Sequence, residues 1–232
     1  MLRGKQDKFK FFLMGMLGLL IHQFASAQEN FHKEFNWGLN GGTSISSVSF
    51  NPKVRQGKLI QGVGGISIRY ISENNFGIQC EINYSQRGWK EVYPDYPDIH
   101  YTRALDYIEL PVLTHIYFNA GKRFRTVFNL GPQLGYLLNE RTLESSIDIN
   151  DENTPSYYAQ KVQRRFDWGL CFGGGVELRT SSGNFILDGR YYYGLSDIFN
   201  NSKIADGYYF AASSNQIICV KITYLFKLKT KN

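Results

Sequence analysis

The side chains with the most obvious chemical potential lie in YPDYPDIHYTR, residues 93–103, where His100 follows Asp95 and Asp98 at close spacing. An imidazole beside carboxylates is the material of a base and its orienting acid, or of a metal site. Neither requirement is complete here: no nucleophile stands in a recognisable motif, and one His with two Asp is a loose ligand set. The segment otherwise has the composition of a solvated, Pro-rich loop. Cys80, Cys171 and Cys219 are odd in number and fall on segments that are not neighbours, so free thiols are expected rather than a disulfide framework or a metal centre. No cofactor motif is present.

A second set of ionisable groups is arranged more regularly. Arg69, Glu81, Arg87, Glu109, Asp167, Glu177, Arg179, Asp188, Arg190 and Lys221 each occupy the polar face of a segment whose other face is apolar. Ionic groups enclosed in a narrow interior are tolerated when they are paired and hydrogen-bonded. Glu81, Glu109, Arg190 and Lys221 fall nearest the middle of their segments and are expected to form a central quartet with a structural role. His115 has the same parity near one end of its segment and is expected to be a packed interior residue.

The elements that hold these groups are strands. In Phe76–Arg87, Phe76, Ile78, Cys80, Ile82 and Tyr84 alternate with Gln79, Glu81, Asn83, Ser85 and Arg87. Side chains alternate across a strand, so this pattern gives one oily and one polar face. Eight segments carry it, at about 36–45, 59–71, 76–87, 104–118, 124–138, 166–179, 184–194 and 215–228. Each meets the roughly 9–11 residues that a tilted strand needs to cross a bilayer.

Short polar turns at 72–75, 119–123 and 180–183 alternate with long connections at 46–58, 88–103, 139–165 and 195–214. Short turns on the periplasmic side and long loops outside are the pattern of a transmembrane barrel. Lipid offers no partner for an open strand edge, so the eighth strand is expected to close on the first. The expected fold is therefore all-β, an eight-stranded antiparallel up-and-down transmembrane β-barrel. Aromatic belts are expected from Tyr70, Phe76, Phe118, Phe124, Phe185 and Phe226 at the periplasmic ends, and from Tyr84, Trp89, Tyr136, Phe166 and Trp168 at the outer ends. A water-soluble carrier barrel would show the same alternation with the two faces exchanged.

Residues 1–27 read as an export signal: Arg3, Lys5, Lys8 and Lys10, an uncharged core from Phe11 to Ile21, and Ala25-Ser26-Ala27 before a cut at Gln28. The apolar run, roughly 11 residues against the ~20 of a spanning helix, is short for an anchor. Its four cations and Asp7 carry half of the formal charge of +6, so the remainder is near +3 and gives no case for nucleic acid. Residues 28–35 are expected to be a short periplasmic segment and 36–228 the barrel domain.

Several segments are similar to PorT-like outer-membrane β-barrel proteins of Bacteroidetes, barrels of the OmpX and OmpA type. DYIELPVLTHIYF at 106–118 resembles their "YLEIPLLL" strand, and GPQLGYLL at 131–138 the strand that follows it. DWGLCFGGGVEL at 167–178 is similar to their glycine-rich strand, and DGRYYYGLSDI at 188–198 to their "RYSYGLTNI" segment. The resemblance covers about 36–228 and implies an eight-stranded outer-membrane barrel without transferring a catalytic residue. The chain departs from that pattern at its end, where Lys227–Asn232 follow Phe226, so the insertion signal would be read from Tyr224 and Phe226. The expected function is an integral outer-membrane protein with a structural or interaction role, in contact with lipid and with envelope partners through its loops. A small channel is the alternative, and a rim-active lipid-modifying or hydrolytic enzyme using His100 a more distant one.

Overall fold

The computed structural model describes residues 33–96, 98–147, 158, 160–200 and 210–227; residues 1–32 lie outside this set, and with them the expected export signal. Among the described residues nine strands occur, β1 (Glu34–Asn51), β2 (Gln56–Gly57), β3 (Leu59–Glu73), β4 (Phe76–Val92), β5 (His100–Asn119), β6 (Phe124–Ser145), β7 (Phe166–Arg179), β8 (Gly183–Asp197) and β9 (Ala212–Lys227). All pair antiparallel with their neighbours in the order β3-β1-β9-β8-β7-β6-β5-β4, and β4 pairs back onto β3. β1 and β9 are in register from Asn36–Lys227 to Asn51–Ala212, so the first and last long strands seal the wall. β2 is a short addition to the upper edge of β4. Closure leaves no ladder edge at the level where no water could satisfy it.

Burial decides which face is which. Ile60 is 66% exposed and Leu39, Ile82, Leu130 and Ile222 also face outward, whereas Arg69 and Arg87 are fully buried. This is the reverse of a water-soluble protein, and it rules out the carrier arrangement. The apolar wall runs between belts that include Phe35, Tyr70, Phe76, Phe118, Phe124 and Phe185 at the short-turn end and Tyr84, Tyr136, Phe166 and Trp168 at the other. Phe128 and Phe172 interrupt its aliphatic waist.

Two expectations need correction. The strands run well beyond the segments 36–45, 76–87, 104–118, 124–138 and 184–194, into stretches expected to be loops. β6 alone continues to Ser145. The reason is a change of polarity without a change of backbone. On β1, Phe35, Trp37, Leu39 and Ile45 point outward, but two turns of the pleat later Val48 and Phe50 point inward while Ser49 points out. Above that level the barrel stands in water and takes the ordinary apolar-in pattern.

Trp89 belongs to this upper region and not to the outer belt. It shares the parity of Glu81 and Arg87, is fully buried, and packs edge-on against Phe50 at 5.3 Å. With Val48, Tyr101, Leu105, Tyr107, Leu137, Tyr158, Val162, Ile198, Phe199 and Phe210 it forms an apolar cap over the lumen.

Gly88 lets β4 pass from one regime to the other. Its φ is 137°, and a Cβ would sit 1.9 Å from the Arg103 carbonyl oxygen. Gly88→Ala should lower stability by about 1–3 kcal/mol; urea unfolding of the vesicle-inserted barrel measures this, and an unchanged midpoint would remove the role assigned to Gly88.

Candidate functional site

The lumen is filled by three tiers of ionic groups, each assembled from strands that are far apart in sequence. In the tier nearest the short turns, Arg69 on β3 spans the barrel to Glu177 on β7, four strands away. It donates from Nη1 to Oε2 at 3.0 Å and from Nη2 to Oε1 at 2.8 Å. Both residues are fully buried. A bidentate guanidinium–carboxylate pair is the strongest geometry available for such a contact.

His115 completes the tier as a packed interior residue. Its Nδ1 lies 2.8 Å from Asn129 Oδ1, which can only accept, so Nδ1 carries the proton and Nε2 offers its lone pair toward Arg69 Nη1 at 3.4 Å. Below it, Glu34 accepts from Arg125 and Arg179, at 3.4 and 3.2 Å. Arg125 stands 4.1 Å over the Tyr117 ring. Ile71, Val127, Ile186 and Leu225 fill the remaining space around Tyr117.

The middle tier centres on Glu81 of β4. Its Oε1 accepts from Arg190 Nη2 at 2.9 Å and Gln79 Nε2 at 2.7 Å, and its Oε2 from Lys221 Nζ at 2.5 Å and Asn83 Nδ2 at 2.9 Å. Two cations and two amides thus satisfy one buried carboxylate. Arg190 on β8 also reaches four strands across the barrel to Glu81 and donates from Nε to Asp188. The glycine-rich run of β7 makes room for it: a Cβ on Gly173 would lie 2.8 Å from Arg190 Cγ.

Arg87 of β4 organises the third tier. It donates from Nε to Glu109 at 2.8 Å and from Nη1 to Asp167 at 2.6 Å. The rings of Tyr107 and Tyr192 flank its guanidinium at 4.6 and 4.8 Å. Asp167 also accepts from Ser196 and Asn215, and Glu109 from Gln133.

Of the expected quartet, Glu81, Arg190 and Lys221 therefore meet directly, while Glu109 does not join them. Glu109 stands across a cavity of about 20 Å³ from Arg190 and Lys221, with Asn83, Gln133, Cys171 and Cys219 also on its wall. That is space for about one water molecule. Arg87 is closer to Glu109 than either central cation because β4 and β5 are neighbours, with Arg87 facing Leu105 and Asn83 facing Glu109. Sequence reasoning also left out Arg125 and Glu34. Arg125 was legible, since it shares the parity of Asn129 and Gln133; Glu34 lies on a strand start that carries no alternation before it.

The rim group differs from its sequence picture. His100 opens β5, and its Nδ1 lies 3.1 Å from the backbone oxygen of Asp98 and not from a carboxylate. Asp95 and Asp98 are exposed. Among the described residues no cluster of three His, Cys, Asp or Glu side chains is placed to hold a metal ion. The three thiols are free, Cys80 on the outer face and Cys171 and Cys219 toward the lumen.

An oily wall around a salt-linked interior is built to sit in a membrane, and residues 24–200 match the family described as outer membrane protein beta-barrel domain. The chain belongs to that family. Its place is accordingly the outer membrane. Among solved structures the chain is similar to Neisserial surface protein A, at 13% identity and TM-score 0.46, over 85% of this chain and all of that one. It is similar to the outer membrane protein OprG from Pseudomonas aeruginosa, at 14% identity and TM-score 0.45, over 85% and 98% of the two chains. The Yersinia pestis protein Ail in a phospholipid nanodisc gives 18% identity and TM-score 0.37, over 83% and 100%. No curated protein matches the chain.

Removing one end of a buried strut leaves a charge without its partner, at a cost of about 3–5 kcal/mol, whereas removing both ends is close to neutral. Arg69→Leu and Glu177→Leu should each lower the thermal transition in detergent, and the double variant should recover most of the loss. Glu81→Leu, which leaves Lys221 without a carboxylate and Arg190 with Asp188 alone, should destabilise as well. An unchanged transition for Glu81→Leu would count against the central tier.

Proposed function

We propose that the protein is a structural or interaction component of the cell envelope, a closed barrel that presents its extracellular rim to partners and passes nothing through its lumen. The observation that carries this reading is the filling of the interior. Three ionic tiers and an apolar cap follow one another along the axis, and the cavity between the upper two tiers has room for about one water. An ion or solute would have to break several buried pairs to pass. The finer assignment, a PorT-like barrel of Bacteroidetes exported through a signal cleaved before Gln28, is supported by the segments quoted from 106–118, 131–138, 167–178 and 188–198 and by the basic-then-apolar start of the chain.

The chain is proposed to be non-enzymatic, without nucleic acid, cofactor or metal. The rim imidazole has a backbone oxygen where a catalytic pair would want a carboxylate, which favours the interaction reading over a rim enzyme. Partner contact falls to the loops and to exposed Tyr96, Ile99 and Leu143 above the membrane. A rigid barrel that holds aromatic-bearing connections in place suits that task.

In planar bilayers the refolded protein should give a closed trace. Steady single-channel openings from the unmodified protein would replace this reading with the channel. For the enzyme alternative, His100→Ala in the cell should leave the envelope lipid profile as it is; a changed profile would restore a catalytic rim.

A further inference from the structure

One crevice on the outer wall belongs to neither the lumen nor the loop surface. Tyr191 faces Ile218, Ile218 faces Ile45 and Ile45 faces Ile60, so four outward side chains form a single row across β8, β9, β1 and β3. Immediately above, Gln216 faces Ser47, and Lys58 stands on the connection two residues before Ile60. Ile45, Ser47, Gln56, Lys58, Tyr191 and Gln216 are among the walls of a depression of about 260 Å³. The polarity change of β1, between Ile45 and Val48, falls at this height. The crevice is therefore apolar where the hydrocarbon ends and polar where the headgroups begin.

Its cation is uncompensated. Two other outward cations of the upper barrel, Lys90 and Arg141, have Glu144 at 4.0 Å and Asp106 at 3.0 Å. Lys58 is exposed, and no described carboxylate pairs with it. Beside it, Gln56 spends its amide on both backbone groups of Val48, at 3.0 Å and 2.5 Å, which fixes the connection that carries Lys58. Below Ile60 the wall recedes at Gly62, where a Cβ would touch nothing.

We propose that this crevice holds one phosphorylated glycolipid of the outer leaflet. Lys58 takes the phosphate, Ser47 and Gln216 bond the amide and hydroxyl groups of the sugar, and an acyl chain lies along Ile60, Ile45 and Ile218. A sugar phosphate with amide-linked chains uses the hydroxyl, the carboxamide and the ammonium together, whereas a phosphodiester lipid needs little beyond the cation. The proposal rests on the barrel spanning the outer membrane.

The test is native mass spectrometry of the full chain in neutral detergent, with diphosphoryl lipid A, its dephosphorylated form and phosphatidylglycerol as separate probes. Diphosphoryl lipid A should remain bound at one per barrel. Lys58→Glu should weaken that binding roughly tenfold, the scale of a lost charge-assisted contact. Lys122→Glu, in a turn at the other end of the barrel, should leave it unchanged. Equal binding by Lys58→Glu, by dephosphorylated lipid A or by phosphatidylglycerol would overturn the proposal. Heat-modifiable migration on gels and recovery in outer-membrane fractions report separately on the barrel itself, so its failure and that of the lipid site are distinguishable.

Discussion

Backbone amides and carbonyls in hydrocarbon have no water to turn to, and the rest of this molecule follows from that constraint. It demands a closed ladder, which β1 and β9 complete. Closure at eight strands then fixes a lumen just wide enough for side chains to fill. Strand alternation sends every second residue into that lumen, and the lipid-facing positions take the apolar residues. What is left for the interior is polar, and here much of it is ionic. The charges are inside because the oily residues are needed outside.

Burying those charges would be prohibitive singly, so their arrangement matters more than their number. Arg69 with Glu177, and Arg190 with Glu81, join strands four places apart, across the full width of the barrel. Ladder hydrogen bonds fix each strand to its neighbours but constrain the cross-section weakly. Struts between opposite walls fix it directly. Arg87 differs in that two tyrosine rings share its guanidinium with two carboxylates, which spreads one cation over several partners. The filled lumen is thus a consequence of holding the barrel's shape, and closure to solutes comes with it.

Much of this was legible in the sequence because alternation has only one free variable, which face is which. The eight strands, the short turns and the shared face of Glu81, Arg87, Glu177 and Arg190 follow from parity alone. Pairing inside the lumen does not. Glu109 has the parity and height expected of a partner for Lys221, yet the choice among cations depends on the tilt and stagger of the strands, and those place Arg87 on the adjacent strand within reach. The long loops were overestimated for a different reason. Where Ile45 gives way to Val48, the apolar positions move from odd to even numbers, and a phase shift in a sequence looks the same as the end of a strand.

The wall of β1 is continuous from Glu34 to Asn51, and so is its pairing with β9, yet its inner residues pass from Asn36, Asn40 and Ser44 to Val48 and Phe50. One ladder therefore crosses two solvents. In lipid its apolar groups look outward and its core is ionic; in water above, Trp89, Phe50, Tyr101 and Phe199 gather inside as in any soluble protein. The two cores meet end to end near Gly88, on the axis, so neither is open to the other's solvent. The level at which the side chains exchange faces is set by the membrane surface, and the crevice below Lys58 lies on the same level because headgroup and hydrocarbon meet there too.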